Sequence, residues 1–145
     1  GMDATHERTH FTRAVLEGIT FSLNESIEIF REYGKKIDTI ISIGGGAKNK
    51  TWLQMQADIF HADIVKLQSE QGTALGAAMV AAYGCGWFSS LKGCTGAFLQ
   101  VEKVYTPIPE NVEKYKELYA IYKEVYSNTK NINDRLMELR NRGIV

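Results

Sequence analysis

The sequence predicts an α/β fold, a parallel strand–helix–strand unit flanked by long amphipathic helices. Three observations carry this. A β-branched run, Ile37–Ile43 (IDTIISI), ends in three consecutive glycines. A helical pattern follows, and then a second short apolar run, Ile64–Leu67 (IVKL). Strand, helix and strand in that order and spacing describe a βαβ crossover, with right-handed parallel pairing the expected outcome.

Taken in chain order, the first element is a helix from about Thr5 to Tyr33. Its apolar positions Phe11, Val15, Ile19, Leu23, Ile27 and Phe30 recur in steps of three or four, and this stripe is expected to face the core. Asp3 and Thr5 are the expected N-caps, and Gly34 the left-handed stop. Arg13, Glu17, Glu28 and Glu32 fall mostly off the stripe. After the first strand and its glycines, Trp52, Met55, Ile59 and Phe60 share one helical face, with Asn49 or Thr51 as cap. Ser69 to Gly72 reads as a turn into a third helix, Thr73–Tyr83, rich in small residues that permit close backbone approach. Gly84–Gly96 reads as a loop, and Phe98–Tyr105 as extended or irregular. Pro107 and Pro109 precede a last helix, about Asn111 to Arg140, with the stripe Tyr115, Leu118, Tyr122, Val125, Tyr126, Ile132, Leu136.

Composition narrows the function. The 145 residues suffice for one core, 44% apolar and 23% charged, with zero formal net charge. Without a basic tract, neither nucleic acid nor an anionic membrane is an expected partner. No apolar stretch approaches a bilayer span. Two cysteines, Cys85 and Cys94, make neither a disulfide framework nor a metal site, so a cytoplasmic protein with reduced thiols is expected. The chain opens almost directly into a helix with no strand before it, which suggests a piece of a larger protein.

The chemistry concentrates in Gly44-Gly45-Gly46-Ala47-Lys48-Asn49, between a buried strand and a helix start. Glycines let backbone N–H groups crowd a ligand, and the helix N-terminus adds unpaired donors and a positive dipole end. A phosphate or the ribose edge of a nucleotide suits that place. A tight turn without a ligand is the plain alternative. Two familiar loops also nearly fit. GGGAKNKT is one residue from a GxxxxGK[ST] phosphate loop, Asn49 replacing the second glycine, with Lys50 and Thr51 as phosphate and magnesium groups. A dinucleotide GxGxxG fails at the same position and lacks an acidic residue at the end of the next strand, since Asp63 only begins it. His6, His10 and His61 lack ligand spacing, Asp58 reads as structural and Trp52 as core.

The stretches IGGGAKNKTWLQMQADIF and EQGTALGAAMVAAYGCG, with RAVLEGITFSL upstream and tyrosines 115, 119, 122 and 126 downstream, resemble the FGGY carbohydrate kinases in four blocks in order. That resemblance implies a partial actin-like ATPase (ribonuclease H-like) domain. It implies ATP and Mg²⁺ as cofactors and an adenine nucleotide held by Gly44, Gly45, Gly46, Ala47 and Asn49, with Ala74–Ala78 behind the adenine. Within the family, GGGAKN with Trp52 and ALGAA is most similar to the xylulokinase branch. The implied reaction is therefore transfer of the ATP γ-phosphate to a ketose, D-xylulose, with gluconate or glycerol as the alternative acceptor. The family's catalytic base and most sugar contacts have no counterpart here. Residues 1–145 are thus expected to be the C-terminal nucleotide-binding domain, inactive alone, with no catalytic or metal residues of its own. The rival from another class is a non-catalytic α/β binding module. In either case the long helices offer stripes for a missing domain or a second copy in a homodimer.

Overall fold

The computed structural model describes residues 1–68 and 72–143. Its elements are α1 (Arg8–Glu32), β1 (Thr39–Ser42), α2 (Lys50–Phe60), β2 (Asp63–Leu67), α3 (Gly72–Gly84), α4 (Leu91–Phe98), β3 (Val101–Tyr105) and α5 (Pro109–Asn141), with a 3₁₀ turn at Gly45–Lys48 before α2. The sheet order is β1-β2-β3. β1 and β2 pair in parallel, with Ile40 opposite Ile64, so the expected βαβ unit is present with α2 as its crossover. β3 joins antiparallel on the far side of β2, with a register irregularity at Lys66/Leu67.

The core forms around α2. Leu53 and Ala57 are fully buried, and Met55, Ile59 and Phe60 nearly so, packed with Ile64 of β2, Tyr105 of β3, Phe21 of α1 and Tyr115 and Tyr119 of α5. A helix enclosed on this many sides needs its ends satisfied from elsewhere. Asn49 accepts from the Trp52 amide at 3.1 Å at the N-terminus. At the C-terminus, Arg31 of α1 donates to the Phe60 carbonyl at 2.8 Å and to that of Ile37 at 2.9 Å. A cation there also suits the negative end of the helix dipole.

Asp58 is structural, as the sequence indicates, and its partners explain why. It is 3% exposed. Its Oδ1 accepts from the Ile108 amide and from Gln54 Nε2, and its Oδ2 from Asn111 Nδ2, all at 2.9 Å. Ile108, the N-cap position of α5, makes no side-chain cap of its own. A carboxylate from α2 therefore caps α5. Further along α5, Tyr115 Oη donates to Glu17 and accepts from Arg13, and Tyr119 Oη donates to Glu28, each at 3.0 Å. The rings of Tyr115, Tyr119 and Tyr122 surround Phe21. Burial, reinforced by Glu28, raises the Tyr119 pKa, and burial with Glu17 raises that of Tyr115.

Five expectations change. The first strand, expected to be buried, alternates exposed and half-buried positions, with Ile41 48% exposed, because it pairs with β2 alone among the described residues. Phe11, Val15, Ile19, Leu23 and Phe30 do not enter the core and are 44–62% exposed. α1 instead buries Thr20, Phe21 and Asn24, with Leu16 and Ile27 packed beside them. The helix has two apolar faces, and periodicity cannot rank them. The N-cap of α1 is Glu7, exchanging hydrogen bonds with His10, rather than Asp3 or Thr5. Residues 84–96 are not all loop, because Ser90 accepts from the Gly93 amide and starts α4, whose Cys94 is fully buried. Phe98–Tyr105 resolves into the end of α4 and then β3. Gly34 does end the first helix at φ +74°. Of the expected turn Ser69–Gly72, residues 69–71 lie outside the described residues.

Asp58→Ala strands the Ile108 amide and two carboxamides, and should lower unfolding free energy by about 2–4 kcal/mol in urea titration. Asp58→Asn, which keeps an acceptor, should fall between. The raised tyrosine pKa values mean that the unfolded chain releases these protons first. Stability is therefore whole below about pH 10 and falls as pH rises beyond it. The urea midpoint measured against pH should show this alkaline loss, reduced in Tyr119→Phe.

Candidate functional site

Beyond β1, Gly44 reverses the chain at φ +81° and ψ −166°, a backbone that side chains resist. The 3₁₀ turn follows, closed by Ala47 N–H to the Gly44 carbonyl at 3.1 Å and Asn49 N–H to the Gly46 carbonyl at 3.2 Å. Asn49, extended at φ −92°, then starts α2. Among the described residues the Gly45 and Gly46 amides find no carbonyl behind them. They stand with the first amides of α2 as open donors.

The three glycines are present for three different reasons. Gly44 is required by its conformation. Gly46 is required by packing, because a Cβ there would lie 2.7 Å from Cζ3 of Trp52. Gly45 has an ordinary φ, and among the described residues nothing lies within 4 Å of where its Cβ would be. Neither conformation nor packing calls for glycine at 45, but a ligand pressed against the backbone would.

Of the predicted residues, Gly44, Gly45 and Asn49 are exposed and Gly46 is half-buried, together at the mouth of the turn. Ala47 points inward, 5% exposed, and holds the turn against the core. Asn49 uses its Oδ1 as the cap, leaving Nδ2 as the group able to reach a ligand. Trp52 lies beneath the turn and donates from Nε1 to Thr20 Oγ1 at 2.9 Å, anchoring the loop to α1. Lys50 and Thr51, the first residues of α2, are exposed. Ala74, Ala77 and Ala78 are exposed, on a helix whose Gly72 meets Ile43 beside the glycines.

An open cleft of about 320 Å³ adjoins Asn49 and Thr51 and is walled by Arg8, Thr9 and Thr12 of α1. The sequence reading did not connect the start of α1 with this site. No pattern in residues 8–12 announces it, since only the tertiary packing of α1 beside α2 brings them together. Among the described residues no group of three His, Cys, Asp or Glu side chains could hold a metal ion. These residues do not fit a Mg²⁺ site of their own, and no acidic side chain lies in the turn.

The FGGY family of carbohydrate kinases, C-terminal domain, matches residues 1–85. This chain belongs to that family. The xylulose kinase of Bacillus subtilis (strain 168) is 56% identical over 140 residues, which are 97% of this chain and 28% of that protein. A ligand-bound xylulose kinase from Lactobacillus acidophilus superposes with a TM-score of 0.81 at 30% identity, over 90% of this chain and 26% of that one. The glycerol kinase of Plasmodium falciparum with ADP gives 0.72 at 28% identity, over 86% and 26%. The FGGY chain therefore spans little more than a quarter of the relatives it matches, and the fold expected from the resemblance, part of an actin-like ATPase domain, is the one these neighbours carry.

Gly46→Ala should displace the Trp52 ring, costing about 1–3 kcal/mol in unfolding free energy and shifting tryptophan emission. Asn49→Ala should cost about 1 kcal/mol through the lost cap, and Asn49→Ser should recover most of it.

Proposed function

We propose that this chain is the C-terminal nucleotide-binding domain of a carbohydrate kinase. The loop Gly44, Gly45, Gly46, Ala47 and Asn49 would receive the adenosine end of ATP, and the full protein would transfer the γ-phosphate to a hydroxyl of D-xylulose. The carrying observation is Gly45, a glycine that neither conformation nor packing requires, beside open amides at a helix N-terminus. Family membership supports the nucleotide, and the names of the relatives support the sugar. Gluconate or glycerol is the alternative acceptor, each supported by a structural neighbour, a gluconate kinase and a glycerol kinase. A sugar panel on the full-length enzyme separates them.

The chemistry divides accordingly. Phosphoryl transfer needs a base for the hydroxyl proton, Mg²⁺ on the phosphates and donors for the moving charge. The loop here can orient the nucleoside and contribute backbone donors. The base, the sugar contacts and the Mg²⁺ ligands are assigned to the remainder of the protein. That remainder would also cover the exposed face of α1 and the outer edge of β1, where Ile41 is 48% exposed. The cytoplasm, where ATP is held and thiols stay reduced, is the proposed compartment. No helix among the described residues is long and apolar enough to cross a membrane. A homodimer is part of the proposal.

Calorimetric titration with ADP should give weak saturable binding, with no turnover of D-xylulose and MgATP by this chain alone. Gly45→Ala, which meets nothing among the described residues, should keep the unfolding midpoint and weaken ADP binding about tenfold or more. Asn49→Ser should keep the cap and lose the amide donor, also weakening ADP. Undiminished ADP binding by Gly45→Ala would end this reading. Loss of all binding in Lys50→Ala, with Gly45→Ala unaffected, would install the phosphate loop instead.

A further inference from the structure

The glycine turn is held from beneath at two points, and both belong to Trp52. The Trp52 backbone N–H donates to Asn49 Oδ1 at 3.1 Å, which fixes the residue closing the turn. The indole supports the middle, because its Cζ3 and Cε3 atoms stand 2.7 and 3.2 Å from where a Cβ on Gly46 would be. The other side of the same ring bears Nε1, which donates to Thr20 Oγ1 at 2.9 Å. An indole is a rigid plate with a single N–H donor. Tilting it away from Thr20 therefore moves the edge that lies under Gly46.

Thr20 is suited to hold that plate at one tilt. Its side chain is fully buried within α1. The hydroxyl donates its only proton to the Leu16 carbonyl, one turn back, at 2.7 Å. That bond fixes the rotamer of a β-branched side chain in a helix and leaves only lone pairs to offer. The indole N–H meets a stationary acceptor. The turn itself is lightly restrained, closed by one bond from Ala47 to Gly44 and one from Asn49 to Gly46. Donors aimed in advance bind more tightly than donors that must be ordered by the ligand.

We propose that Thr20 is a positioning residue for the nucleotide. Through the tilt of Trp52 its hydroxyl sets the aim of the Gly45 and Gly46 amides. Ligand affinity then depends on a side chain that is 0% exposed and touches no ligand. This inference rests on the nucleotide reading of the turn and adds to it a residue on a different element, about one full helix away in the chain.

Calorimetric ADP titration and urea unfolding of the 145-residue chain separate positioning from stability alone. Thr20→Val keeps the shape and removes the acceptor. It should weaken ADP binding about three- to tenfold, the range of one hydrogen bond, under conditions where both proteins are fully folded. Thr20→Ser restores the hydroxyl and should bind ADP as the wild type does, even where the lost methyl lowers its urea midpoint. In a Trp87→Phe background Trp52 is the only tryptophan, and its emission should change saturably with ADP. Adding Thr20→Val should diminish that change. Without ADP, it should also speed hydrogen exchange of the Ala47 and Asn49 amides about tenfold. Wild-type ADP affinity in Thr20→Val, with only the urea midpoint lowered, would overturn the inference, and so would Thr20→Ser binding as weakly as Thr20→Val. A wild-type chain that ignores ADP is a separate outcome, which removes the nucleotide reading and this inference together.

Discussion

The buried carboxylate of Asp58 joins parts of the chain fifty residues apart. It sits on α2, the helix with the most enclosed surface, and accepts at the N-terminus of α5, which has no cap of its own. An uncompensated acid in that position would be costly, so the carboxylate and the α5 terminus must be placed together or not at all. With α5 fixed there, Tyr115 and Tyr119 fall opposite Glu17 and Glu28 of α1, and their rings surround Phe21. α1 is thereby held beside α2, and Trp52 bonds it to the base of the glycine turn. The shape of the candidate site follows from that sequence of contacts.

The same arrangement accounts for what is left uncovered. One face of α1 is consumed by α2 and α5, while the face with the more regular apolar spacing stays in solvent. Among the described residues β1 pairs on one side only, and α3 packs mainly on α4. Under the proposed function, these surfaces are where the remainder of a longer protein would pack.

The three adjacent glycines show how one sequence motif conceals separate constraints. One is conformational, one is packing against a tryptophan, and one meets no constraint among the described residues. A motif match treats them alike. Their neighbours in space distinguish them, and only Gly45 is left without a constraint from the described residues.

By itself the sequence determined the class of fold, the βαβ order, the glycine turn with Asn49 at its end, and the family. These depend on local periodicity, turn chemistry and short motifs, which are properties of neighbouring residues. It also carried enough to mark Asp58 and Trp52 as structural. The tertiary structure alone decided which of two apolar faces of α1 is buried, since both satisfy helical spacing and packing against α2 and the tyrosines of α5 chooses between them. It alone revealed α4 within a glycine-rich stretch, where a serine cap and a buried cysteine outweigh propensity. It also brought Arg8, Thr9 and Thr12 beside Asn49, a proximity set by a carboxylate and three rings far away in the chain.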